Sequence, residues 1–187
     1  MLIFFGILAV VVAYLYMLYV SLIKKRNNLK EASSGVDVQL KKRYDLIPNL
    51  LEMAAKFMTH EKQLFQDIVE LRNSALKQNF TTDAKKSMEL EKMISDKLKS
   101  FWLNVENYPD LKSNQTMIQA MQSFDEAEEN IAAARRFYNS ALTELKNAVE
   151  IFPSSLVASF IGIKADQPYF EAEEKEKQRI NVSDYLK

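Results

Sequence analysis

The chain has 187 residues with only three Gly and four Pro, and its 25 basic residues balance its 25 acidic residues to a formal net charge of zero. This length fits one domain, and the scarcity of turn-forming residues favours long helices. The charge balance argues against a nucleic-acid-binding protein, because phosphate contacts need a basic excess, and the lack of Cys excludes disulfides, thiolate zinc sites and Cys nucleophiles.

The first predicted element is a membrane anchor, residues 1–25. Leu2 to Ile23 is an apolar run in which tyrosines are the only ionisable side chains. At about 1.5 Å per residue this run reaches roughly 33 Å, enough to cross the hydrocarbon core. A cleaved signal peptide is the alternative, but no Lys or Arg precedes the run and no small-x-small cleavage pattern follows it. We therefore predict a retained, single-pass anchor in the cytoplasmic membrane.

A group of cations follows the apolar run directly. Its members are Lys24, Lys25, Arg26 and Lys30. On a continuing helix they would lie within about 10 Å of the membrane exit, where anionic lipid headgroups are within reach. A simple stop-transfer flank is an equal alternative. By the positive-inside rule, these charges predict a cytoplasmic bundle with the N-terminus outside.

The second predicted element is a long amphipathic helix that ends at residues 78–83. Its apolar residues alternate in steps of four and three, which predicts a core-facing stripe. The stripe consists of Leu40, Tyr44, Ile47, Leu51, Ala54, Met58, Phe65, Ile68 and Ala75. Pro48 lies within it and predicts a kink or a new first turn, with Asp45 near the start of that turn, because proline removes one helical hydrogen bond.

Two more helices are marked by capping residues. Thr82 or Asp83 is the expected N-cap of a helix over about residues 84–106. Residues 107–114 form the next turn, where Ser113 or Asn114 is the expected N-cap of the last long helix.

The last long helix carries a seam of alternating small and large residues. Ala recurs every seven residues from Ala120 to Ala148, and a large apolar residue recurs every seven from Phe124 to Phe152. A strict heptad imposes a left-handed supercoil, and Ala at alternate seam positions lets an antiparallel neighbour approach closely. Pro153 terminates this helix. The final "YFEAEEKEKQRINVSDYLK" is predicted to form a short charged helix or a loose tail.

Five charged residues fall on or beside the apolar stripe and seam of these helices. They are Arg43, Glu61, Arg72, Glu128 and Arg135. A charge near a bundle core is retained only when it is paired, because an unpaired buried charge is costly. We predict that some of these side chains form a structural polar seam that pairs helices and fixes their register. A buried functional polar site is the rarer alternative, and acidic runs such as "ELEK" (89–92) are interpreted as solvated helix faces.

The sequence holds no recognisable catalytic or cofactor motif. His60 precedes Glu61 but is the only His in the chain, which argues against a zinc site and favours a His on a helix surface. There is no Gly-x-Ser-x-Gly elbow and no Gly-rich phosphate loop. We expect no cofactor, no metal and no enzymatic activity.

Several segments together resemble the LemA family. The segment "RNNLKEASSGVDVQLKKRYDLIPNLLEMAAKFMTHE" (26–61) is similar to its first helix, and "VENYPDLKSNQ" (105–115) is similar to another family motif. "EENIAAARRFYNSALTELKNAVEIFPSSLVA" (128–158) resembles its last long helix, and "PYFE" (168–171) its closing element. The resemblance implies an all-α, membrane-anchored, antiparallel bundle of mostly four helices. The family occurs mainly in bacteria and has no established enzymatic reaction, so the resemblance supplies no catalytic residues.

These observations predict an anchor followed by one elongated helical bundle, residues 26–187, with a C-terminal tail. We expect it to work as a scaffold or adaptor for envelope or membrane proteins. Its partners would be the lipid bilayer and proteins at the membrane, and not nucleic acid. A membrane-organising or membrane-sensing protein that self-associates is the alternative, and an enzyme with unrecognised chemistry is less favoured.

Overall fold

A computed structural model describes residues 1–171 of the protein. Within these residues the chain is all-helical, with no strand, so the predicted fold class is confirmed. The helices are α1 (Leu2–Ala55), α2 (Lys62–Ala75), α3 (Ala84–Val105), α4 (Pro109–Lys112), α5 (Gln115–Glu150) and α6 (Ser154–Ile161).

The first helix, α1, is continuous over 54 residues, which makes it about 80 Å long at the usual rise per residue. Its side chains are mostly exposed up to Ser21, whereas a core-facing stripe begins at the fully buried Leu22. Pro48 lies inside α1 and no new helix begins there. The alternative of a new first turn at Pro48 is therefore wrong, and Asp45 is not at the start of a helix.

The helix predicted to run on to residues 78–83 is in fact two helices. α1 ends at Ala55, the chain reverses over residues 56–61, and α2 runs back beside α1. The buried side chain of Met58 lies in this turn. The core-facing stripe from Leu40 to Ala75 continues across the turn because both helices direct apolar residues into the same core. A sequence period by itself does not reveal such a change of direction.

The predicted ends of α3 and α5 are confirmed by their caps. The Asp83 carboxylate accepts a hydrogen bond from the Lys86 amide at 3.0 Å, and the Asn114 side chain accepts one from the Thr116 amide at 3.0 Å. Each cap satisfies amide groups that have no partner within the helix. Between the two helices, α4 adds one short turn whose Leu111 is fully buried.

The long helix α5 packs antiparallel to α1, as the small/large seam predicts. Lys25 of α1 pairs with Glu144 near the end of α5 at 3.2 Å, while Arg43 of α1 pairs with Glu128 at 2.9 Å. The seam extends less far than predicted, since α5 ends at Glu150. Phe152 lies beyond it and is exposed, because the chain turns at the following Pro153.

After α6 the chain runs back along α5 in an extended strap, residues 163–171. Gly162, with a φ of 70°, ends α6 in the left-handed conformation that favours glycine. The Tyr138 hydroxyl donates to the Pro168 carbonyl at 3.0 Å, and Asn139 exchanges two hydrogen bonds with the Phe170 backbone. The predicted C-terminal tail lies largely outside the described residues; only its beginning belongs to the strap.

Candidate functional site

The centre of the bundle holds a cluster of charged side chains built around the buried Arg43. Arg43 lies on the core side of α1, and its side chain has no exposed surface. Its guanidinium donates to Glu91 of α3 at 2.6 Å and to Glu128 of α5 at 2.9 Å. Two charge-assisted bonds from one planar guanidinium join three helices at one point.

Glu91 is the acceptor at the middle of this cluster, and its side chain is only 4% exposed. One carboxylate oxygen accepts from Arg43 and from the Tyr44 hydroxyl, the latter at 2.9 Å. The other oxygen accepts from Arg135 of α5 at 2.8 Å and from Ser95 at 3.4 Å. A carboxylate with this many donors is compensated for the loss of water.

The charge cluster, defined as Arg43, Glu91, Glu128 and Arg135, contains two positive and two negative groups. Burial pushes the pKa of Arg43 downwards, but Glu91 and Glu128 more than offset this, so its pKa is raised above the ordinary value. Burial raises the pKa of the neighbouring Tyr44 hydroxyl, and Glu91 raises it further. The cluster therefore keeps its arginine charged and its tyrosine protonated at neutral pH.

The burial of Glu91 contradicts the interpretation of "ELEK" (89–92) as a solvated face. Glu91 falls on the core stripe of α3, at helical spacing from Ser87, Ile94 and Leu98. That position is the signal that could have identified it, since a residue three before Ile94 shares its face. Its neighbour Glu89 is exposed, so only part of the acidic run is solvated.

Arg72 has a different role, which explains how α1 accommodates Pro48. Proline has no amide hydrogen, so the carbonyl of Tyr44, four residues earlier, lacks its usual helical donor. Nε of Arg72, on α2, donates to that carbonyl at 2.6 Å. The same guanidinium lies 3.6 Å from the Asp45 carboxylate. Arg72 thus joins α2 to α1 at the proline position and lies outside the charge cluster.

The remaining polar positions predicted from the sequence lie elsewhere. Glu61 is at the N-cap position of α2, half-buried, and its side chain accepts no capping hydrogen bond. His60 is exposed in the turn between α1 and α2, and not on a helix surface. Within residues 1–171, no group of three or more His, Asp or Glu side chains is placed to hold a metal ion. The five predicted seam residues are therefore divided among three places.

The cations predicted to meet lipid headgroups surround α1 just after its apolar run. Lys24, Arg26 and Lys30 are exposed, whereas Lys25 is half-buried and paired with Glu144. The apolar run ahead of them is long and apolar enough to cross a membrane, and none of its apolar window is buried in the bundle. Such a helix suggests membrane anchoring, because water is a poor solvent for it.

Sequence comparison agrees with the class of protein that these features define, an all-helical bundle preceded by an exposed apolar helix. The family model described as LemA family matches residues 32–183. The chain therefore belongs to the LemA family, which is not a known enzyme family. Protein LemA from Metamycoplasma hominis is 24% identical over 173 residues, which cover 90% of this chain and 78% of that protein.

Proposed function

We propose that this protein is a single-pass, membrane-anchored helical bundle that acts as a non-enzymatic scaffold or adaptor for envelope or membrane proteins. The observation that carries the proposal is the continuity of α1, which runs from the exposed apolar segment into the bundle core without interruption. A continuous helix transmits position and orientation, whereas a flexible linker would not. Such a bundle presents its outer faces at a fixed distance and direction from the bilayer.

The interior supports a structural role for the buried charges. Within the described residues, the charge cluster directs its hydrogen bonds at its own members and at Tyr44 and Ser95. The buried Nε atoms of Arg43 and Arg135 have no partner among residues 1–171, but arginine does not give up its proton in proteins. General acid–base catalysis needs a titratable group within reach of a reacting atom. We infer that the cluster fixes the register of α1, α3 and α5 and so keeps the scaffold rigid.

The outer faces of the bundle supply surfaces for partner proteins. Met93 and Leu103 of α3 are large apolar side chains that remain 48% and 64% exposed. Exposed Met and Leu side chains on a helix are suited to protein contacts. Under this proposal the α3 face, far along the bundle from the anchor, is where a partner binds.

In-cell photo-crosslinking of the full chain tests this role. A photoreactive amino acid at Leu103 should capture one partner protein in stoichiometric amount, while the same probe at the exposed Glu129 of α5 serves as the matched control. Capture of only a second copy of this chain would favour the self-associating, membrane-organising alternative. Equal labelling at both positions, with no defined product, would contradict the scaffold proposal.

We further propose that the bundle lies in the cytoplasm with the N-terminus outside, on the basis of the cations that follow the apolar run. The chain contains no Cys, so single substitutions give unambiguous labelling. A membrane-impermeant maleimide applied to intact cells should label Leu2→Cys and not Ser34→Cys, which is exposed in the bundle half of α1. The reverse labelling pattern would overturn this orientation.

A further inference from the structure

The end of the bundle next to the anchor carries a patch of exposed apolar side chains. We call it the apolar cap: Ile151, Phe152, Leu156 and Phe160, which are 59%, 74%, 65% and 93% exposed. Soluble proteins rarely leave a group of large apolar side chains in water unless another surface covers it. The cap is formed by the turn after α5 and by α6.

The packing of α5 on α1 places the apolar cap beside the apolar run. Leu18, Leu22 and Lys25 of α1 line one groove together with Glu144 and Ile151 of the α5 end. Leu18 lies five residues before Ile23, the end of the apolar run, which corresponds to about 7 Å along the helix axis. Ile151 is therefore level with the last part of the segment that would lie in the membrane.

The helix α6 has apolar side chains on two sides, and Ser155 and Ser159 form a narrow polar strip between them. One side packs on the bundle through the buried Ala158 and the partly buried Val157 and Ile161. The cap residues Leu156 and Phe160, four positions apart, lie on the other side. The bundle covers the side of α6 that carries Val157, Ala158 and Ile161, whereas Leu156 and Phe160 remain uncovered and need an apolar environment of their own.

The segment that forms the apolar cap carries one charge, which is positive. Residues 151–165 contain no acidic residue and their single charged side chain is the exposed Lys164, while the exposed acids Glu150 and Asp166 lie just outside this segment. Lys24 and Arg26 of α1 are exposed at the same end of the bundle. Aromatic and aliphatic side chains flanked by cations are the composition of helices that lie in the bilayer interface.

We infer that the apolar cap inserts into the lipid interface beside α1 and forms a second membrane contact of this protein. The inference rests on the membrane anchoring proposed above, and it holds for either orientation of the chain. The occupant is the bilayer, because Ile151 of the cap lies beside Leu18 and Leu22, level with the last part of the apolar run. With two contacts, the bundle can neither rotate freely about α1 nor tilt towards every side.

A depth measurement on the full chain in vesicles tests the inference. An environment-sensitive fluorophore on Phe160→Cys, in vesicles of phosphatidylcholine and phosphatidylglycerol, should shift its emission to the blue and lose emission when spin-labelled lipid is included. The matched control is Phe137→Cys, another exposed Phe on α5 that lies further from the anchor. Its emission should be quenched by aqueous iodide and not by the lipid.

The remaining outcomes separate this inference from the anchoring on which it rests. Resistance of the chain to carbonate extraction, combined with iodide quenching of the Phe160 probe, overturns the inference and leaves the anchoring intact. Shielding from iodide without quenching by lipid also overturns it, since a protein surface would then cover the cap. Extraction of the whole chain by carbonate overturns the anchoring and the inference together.

Discussion

At the centre of the bundle, the buried charges of Arg43 and Glu91 and the partly exposed charges of Glu128 and Arg135 form one cluster. At the anchor-proximal end, four apolar side chains lie exposed. The central charges find their partners within the chain, from Arg43 to Glu91 and Glu128. The apolar cap finds none within the described residues, and Phe160 is 93% exposed. The central charges therefore need no partner from outside the chain, whereas the apolar cap requires a further surface to cover it.

The central charges therefore bear on the folding of the bundle, whereas the apolar cap bears on the position of the bundle at the membrane. A buried charge that is paired contributes to a unique arrangement of helices, and removing its partner affects the folded state. An exposed apolar side chain contributes little to folding, and its contribution appears only when a partner or a bilayer covers it. Substitutions at the centre should change stability, and substitutions at the end should change how the bundle sits on the membrane.

The largest effect is expected for Arg43→Met. Removing one partner of a buried ion pair leaves Glu91 and Glu128 without their shared donor, and such changes cost about 3–5 kcal/mol. Denaturant unfolding of the full chain in detergent micelles measures this loss. The control is Lys42→Met, at an exposed position next to Arg43, with an expected change within about 0.5 kcal/mol. Equal stability of the two variants would contradict the structural role of the cluster.

A smaller loss is expected for Arg135→Met. Its side chain is 33% exposed, and Glu91 keeps Arg43, Tyr44 and Ser95 as donors when Arg135 is removed. The expected cost is about 1–2 kcal/mol, at the lower end for a charged hydrogen bond because solvent screens the pair. A cooperative unfolding transition unchanged from the parent, with one folded state, would show that Arg135 does not help to fix the register.

A double-mutant cycle tests whether Arg72 compensates for Pro48. Arg72→Met should cost about 1–3 kcal/mol in the parent chain, because it removes the donor to the Tyr44 carbonyl. In the Pro48→Ala background an amide is present at position 48 to donate to that carbonyl, so the same change should cost about 0.5–1.5 kcal/mol less. Denaturation midpoints of the four chains give the coupling. Additive changes in the free energy of unfolding would contradict the role of Arg72 in compensating for Pro48.

Phe160→Ser should have little effect on the stability of the bundle, because Phe160 makes few contacts within it. The expected change in the free energy of unfolding is within about 0.5 kcal/mol. The comparison variant is Phe80→Ala, at a buried aromatic that packs on Tyr138 and Phe170, with an expected loss of about 3–5 kcal/mol. A loss at Phe160 as large as that at Phe80 would place the cap in the folding core.

The smallest effect concerns the surface pair of Asp67 and Lys97. The Lys97 ammonium lowers the pKa of the Asp67 carboxyl, and Gln63 lowers it further. A lowered folded pKa means that this contribution is present above the unfolded pKa of about 3.9 and is lost as the pH falls through the folded value. Asp67→Asn should therefore flatten the stability profile slightly below about pH 4. An unchanged profile would show that solvent screens the pair completely.

Elements governed by local rules were predicted well from the sequence. The starts of α3 and α5 follow from Asp83 and Asn114, whose side chains cap amides two or three residues away. The seam of α5 follows from the spacing of its small and large residues. The caps depend on interactions within one helical turn, and the seam is a repeat within one helix, so a single sequence displays both directly.

Features that depend on distant residues were missed. Glu91 belongs to an acidic run and resembles a surface residue, yet its partners Arg43 and Arg135 are 48 and 44 residues away. Pro48 predicts a kink or a new first turn, yet no new helix begins there, and a donor from α2 satisfies the carbonyl that Pro48 leaves unpaired. The turn after Ala55 is not apparent in the sequence, because the spacing of the apolar residues is the same before and after it.

The sequence by itself determined the helical class, the apolar segment at the N-terminus, the main capping residues and the family of this protein. The tertiary structure alone decided which charges are buried, how α1 continues through Pro48, and where the apolar cap lies relative to the anchor. The physical reason is the range of the interactions. Helix propensity and capping act over a few residues, whereas the cost of removing a charge or a carbonyl from water is met only by groups that folding brings from other helices.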